Sequence, residues 1–84
     1  MTRVLGLRGA TTASTNSKGA ILTSTKDLLQ EIIDSNDLEV KELAAVYFTV
    51  TQDLNAEFPA LAARQLGWDN VALLCAQEMD VPNA

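Results

Sequence analysis

Leu43-Ala44-Ala45-Val46-Tyr47-Phe48-Thr49-Val50-Thr51 is the segment on which the fold turns. It concentrates β-branched and aromatic side chains, which pack well on a pleated surface, and so predicts a strand. Before it, Ile21, Leu22, Thr25, Leu28, Leu29, Ile32 and Ile33 recur at helical spacing, with Lys18, Lys26, Asp27, Gln30, Glu31 and Asp34 on the remaining surface. Thr11–Ser17 supplies helix N-cap candidates, and the cluster Asp34-Ser35-Asn36-Asp37 ends the helix. After it, Gln52–Asn55 reads as a turn, and Pro59 opens a short helix through Ala60–Leu66 that Gly67 closes. Val71–Gln77 is apolar enough for another strand, buried on both faces, before Glu78, Met79 and Asp80 restore polarity.

At the start of the chain, Arg3–Ala10 suits a strand with Leu5 and Leu7 on one face and Val4, Gly6, Arg8 and Ala10 on the other. Small neighbours then flank Arg8 and leave room beside its guanidinium. The expected order is strand, helix, strand, helix, strand in a single domain over residues 1–84. Such interleaving favours an α/β (α+β) layer or barrel-like arrangement.

Composition narrows the function. Hydrophobic residues make up 48% of the chain and aromatics 5%, so the core is built from aliphatic side chains rather than rings. A chain of 84 residues leaves much of its surface exposed as a monomer, which favours self-association. The formal charge is -5, and Arg3, Arg8, Lys18, Lys26, Lys41 and Arg64 form no run, which sets nucleic acid aside. An anion would need a local site built on one or two arginines against that field. The single cysteine, Cys75, excludes an internal disulfide, and with no histidine there is neither a Cys/His metal site nor imidazole acid–base chemistry. No metal, cofactor or membrane is expected as a partner, and no secretory leader is evident, so the expected location is the cytoplasm.

Three separated pieces carry a resemblance: Arg8-Gly9-Ala10-Thr11-Thr12; Phe58-Pro59-Ala60 with Arg64 and Gly67-Trp68; and Cys75-Ala76-Gln77-Glu78-Met79-Asp80-Val81. Thr49-x-Thr51-x-Asp53-Leu54-Asn55-Ala56 lies between them. In this order they resemble the monofunctional chorismate mutases of the trimeric barrel-like, Bacillus type. The resemblance implies a mixed sheet with two helices on one side, a barrel-like homotrimer with sites between subunits, and rearrangement of chorismate to prephenate in aromatic amino-acid biosynthesis. That pericyclic step needs no nucleophile, base or metal. It needs a dianion held in its compact conformer, and positive charge at the breaking ether oxygen.

The resemblance gives Arg8 and Glu78 the catalytic roles: Arg8 on a substrate carboxylate through its planar fork, Glu78 as an ionised acceptor for the ring hydroxyl. Phe58, Ala60, Arg64, Leu73, Leu74, Cys75, Ala76 and Gln77 complete the expected substrate-binding set. Cys75 is then a contact rather than a nucleophile. Strand alternation puts Glu78 with Ala72, Leu74 and Ala76 and turns Cys75 the other way, so both line one site only with a bulge, a strand end or backbone contacts between them.

The chain departs from the family pattern in two places. Leu61 stands where some relatives have a lysine, and nothing here corresponds to the second arginine and the tyrosine of the family's C-terminal segment. The chain is therefore expected to lack that segment. The alternatives are a non-catalytic trimeric small-anion-binding or interaction module on the same scaffold and, more distantly, an imine-hydrolysing enzyme on a related barrel-like scaffold.

Overall fold

A computed structural model describes residues 6–82. Four main elements follow in order: helix α1 (Lys18–Ser35), strand β1 (Ala45–Val50), helix α2 (Ala60–Gln65) and strand β2 (Ala72–Gln77), with a single 3-10 turn at Val40–Glu42 before β1.

Local chemistry explains the element ends. Ser17 is the N-cap of α1; its hydroxyl accepts from the Ala20 N–H at 3.2 Å and so satisfies one of the first turn's free donors. At the other end the Asn36 side-chain amide donates to the Ile32 carbonyl at 2.9 Å. Asp37, at φ 50°, then turns the chain in the left-handed region. Helix α2 starts immediately after Pro59. It stops in a Schellman arrangement, with Gly67 at φ 89° donating to the Arg64 carbonyl and Trp68 donating to the Ala63 carbonyl, both at 3.0 Å. The positive φ is why a glycine serves here.

The two strands pair in parallel, from Ala45 beside Ala72 to Val50 beside Gln77. A parallel pair needs a crossover, and α2 with its flanking loops provides it. Leu29 of α1, Ala63 of α2, Trp68 and Val71 form the buried cluster, and Val46, Phe48 and Leu73 pack on it from one face of the sheet. Both helices therefore cover that same face. Burying a leucine or valine of this cluster is worth about 1.5–3 kcal/mol, so packing rather than helix propensity holds the six-residue α2 in place.

Two expectations need correction. Residues 6–10 form no strand; Arg3, Val4 and Leu5 lie outside the described residues. The segment instead passes close to α1, with a methyl group placed at Gly9 meeting Leu28 Cδ1 at 2.9 Å and Ile32 Cδ1 at 3.0 Å. A strand needs a partner for its backbone groups, and β1 and β2 pair only with each other among the described residues. The second correction concerns β2, which is not covered on both faces within one copy. Leu74 is 56% exposed, as is its neighbour Tyr47 at 73%, because both helices pack on the opposite side.

Candidate active site

At the carboxyl ends of the two parallel strands the inner sheet face is no longer roofed by helices. There Val50, Cys75, Ala76 and Gln77 form one wall of a cleft of about 310 Å³, and residues 54–59 form the other. Parallel sheets commonly bind ligands at this end, where the loops leaving the strands diverge. The residue between the strand end and the loop matters too: the Glu78 N–H donates to the Val50 carbonyl at 2.8 Å, extending the ladder one step past β2.

The loop wall is held by polar contacts. Asn16, just ahead of the α1 cap, accepts the Asn55 and Ala56 N–H groups on its Oδ1, each at 3.0 Å, and its amide nitrogen donates to Asn55 Oδ1 at 2.8 Å. Glu57 accepts the Phe58 N–H at 2.8 Å and faces Lys18 Nζ at 3.7 Å. Among the described residues Glu57 is the only charged one lining this cleft, and it is already paired. The cleft wall is thus largely apolar, and any dianion must find its cations among residues outside it.

Of the residues singled out in the sequence, the structure brings Phe58, Cys75, Ala76 and Gln77 together in the cleft. Phe58 is 70% exposed, projecting from the loop rather than packing in the core. Ala60 is half-buried in the first turn of α2, beside buried Pro59. Arg64, on the last turn of α2, donates to the Trp68 carbonyl and so braces the helix end. Leu73 belongs to the core and Leu74 to the opposite, uncovered face.

Glu78 follows the strand alternation. Its carboxylate accepts from Thr49 Oγ1 at 3.4 Å, a long contact on the outer side of the sheet, whereas Cys75 lies on the inner side. No bulge interrupts the register from Ala72 to Gln77, so within one copy these two side chains serve different faces. A second depression, lined by residues 51–53 and 78–81, lies beside Glu78. Arg8 is exposed and makes no ion pair or side-chain hydrogen bond with another described residue. Its neighbour Gly9 is fixed against α1, which sets where Arg8 leaves the surface.

Sequence reading missed Val50, Leu54, Asn55, Ala56, Glu57 and Pro59 as cleft residues. Asn55 and Ala56 lay within the Thr49–Ala56 pattern already noted, but nothing local signals that Asn16, 39 positions earlier, holds them. A polar side chain that grips a distant backbone looks, in sequence, like any loop asparagine.

Residues 4–84 match the family chorismate mutase type I. The chain is 46% identical over 82 residues to the chorismate mutase AroH of Thermus thermophilus, covering 96% of this chain and 67% of that protein. It is 43% identical over 79 residues to the AroH protein of Bacillus subtilis, covering 93% of this chain and 62% of that one. A solved chorismate mutase from Clostridium thermocellum shares the fold at a TM-score of 0.84 and 46% identity, over 88% of this chain and 66% of that chain. The chain thus spans 62–67% of the length of the relatives it matches. Sequence and fold agree over nearly the whole of residues 4–84, and the chain belongs to the chorismate mutase type I family.

Proposed function

We propose that this chain rearranges chorismate to prephenate, an isomerase step in aromatic amino-acid biosynthesis, with no cofactor. The observation that carries the reading is the family match over residues 4–84, which spans all three motif pieces that bear Arg8, Phe58 and Glu78. The apolar cleft at the strand ends supports it, because a pericyclic step asks for confinement and fixed charge rather than a nucleophile. Arg8 holds a substrate carboxylate by two parallel hydrogen bonds, Glu78 accepts the ring hydroxyl, and Cys75 is a contact. Phe58 and Cys75–Gln77 form the facing walls and Ala60 and Arg64 the rim, while Leu73 backs the wall from the core and Leu74 faces a neighbouring copy.

The working unit in this reading is a homotrimer. Tyr47 and Leu74, with Ala45, Ala72 and Ala76, leave an apolar sheet face open, and burying it against further copies brings Glu78, on that same side, toward a neighbour's loop residues. Sites shared between subunits then reconcile the opposite facing of Cys75 and Glu78, since each can meet a different copy. The cytoplasm is the proposed compartment.

Loss of chorismate absorbance on adding the purified protein tests the reaction. Turnover above the uncatalysed rate, abolished with Arg8→Ala, supports it. Binding of a dicarboxylate analogue without turnover would replace it with the anion-binding module.

A further inference from the structure

We infer that Asn16 is a positioning residue for the cleft: it latches the Asn55–Phe58 wall to the start of α1 and thereby sets where Phe58 stands. The turnover part of this inference rests on the proposed function; the latch itself does not.

Three contacts converge on one side chain. Asn16 Oδ1 takes two successive backbone N–H groups, from Asn55 and Ala56, each at 3.0 Å. Only an oxygen can accept both, so the orientation of the amide is decided by its partners, and its nitrogen is left facing Asn55 Oδ1 at 2.8 Å. Asn16 is not otherwise employed at the helix end, because Ser17 is the cap. Lys18, two residues on, adds the Glu57 contact at 3.7 Å. Two residues at the head of α1 therefore grip the wall, and α1 is itself anchored by buried Ile21, Leu22 and Leu29.

The wall needs this grip because apolar packing supplies little of it. Pro59 is buried and anchors the far end, but residues 55 and 56 are exposed and Phe58 is 70% exposed. With residues 55 and 56 exposed, the position of their backbone depends on hydrogen bonds, and among the described residues Asn16 makes those that the two N–H groups have. Loosening it would let the Phe58 wall swing away from Cys75–Gln77 and cost binding before it cost chemistry.

The test compares the parent chain with Asn16→Ala and Asn16→Asp. Aspartate keeps the double acceptor and adds charge to both bonds, while the Asn55 amide can turn to donate. Expected for Asn16→Ala are about tenfold faster hydrogen exchange at the Asn55 and Ala56 amides and a KM for chorismate about tenfold higher, with kcat within about threefold. Asn16→Asp should restore both. Exchange unchanged in Asn16→Ala, faster exchange with an unaltered KM, or failure of Asn16→Asp to restore KM would each overturn the inference. If the parent does not rearrange chorismate, the proposed function falls, and the latch is judged on amide exchange alone.

Discussion

Arg8→Ala separates a binding arginine from a structural one because Arg8 holds none of the other described residues. It is exposed and unpaired among the described residues, so removing its side chain leaves no buried partner stranded. Surface changes of this kind stay within about 0.5 kcal/mol, which for a domain of this size is a melting shift of no more than about 2–4 °C. Affinity should respond differently. A charge-assisted hydrogen bond to a carboxylate is worth about 1.5–3 kcal/mol, so a dicarboxylate analogue should bind roughly ten- to a hundredfold more weakly. Titration calorimetry on both proteins, beside a thermal melt, reads the two quantities separately. A variant that melts far below the parent yet binds as well would mean that Arg8 supports the fold, and the carboxylate assignment would be wrong.

Glu78→Gln should slow turnover while leaving the melt unchanged, because the backbone bond from residue 78 to Val50 does not involve the carboxylate and the Thr49 contact is long; an unchanged rate would remove Glu78 from the site. Gly9 lies against α1, and Gly9→Val should destabilise by about 1–3 kcal/mol in a urea or thermal melt, as the added carbons displace Leu28 and Ile32. Gly9→Ala should come nearer neutral, since both neighbours are flexible side-chain ends and alanine restricts the unfolded chain; a Gly9→Val protein as stable as the parent would show that the close approach to α1 is not kept in solution. Leu74→Lys, on the uncovered sheet face, should shift light scattering toward the monomer, and an unaltered mass would exclude that face as the association surface.

Much of the fold was legible because its signals are local. Ser17 as a cap, the Gly67 stop, Pro59 before a helix and the β-branched run into Val50 each reflect a preference of a few neighbouring residues. The motif pieces were equally readable, and the cleft unites Phe58 with Cys75–Gln77 although 17 positions separate Phe58 from Cys75. Alternation even placed Glu78 opposite Cys75, and the register from Ala72 to Gln77 keeps them so.

The rest depended on what packs against what. Whether Gly6–Ala10 is a strand is decided by a hydrogen-bonding partner, and residues 6–10 run beside α1 instead. The apolar run from Val71 read as buried on both faces, yet burial belongs to a pair of surfaces, and both helices chose the side of Val46, Phe48 and Leu73. Asn16 carries no local mark of its task, since its partners lie 39 and 40 positions away and only the closure of the chain brings them within reach. By itself, then, the sequence determined the types of the two helices and of the two paired strands, their caps and the motif residues, because these rest on short-range backbone and side-chain preferences. The tertiary structure alone decided the pairing of strands, the covered face and the latch on the cleft wall, because each is a contact between segments far apart in the chain.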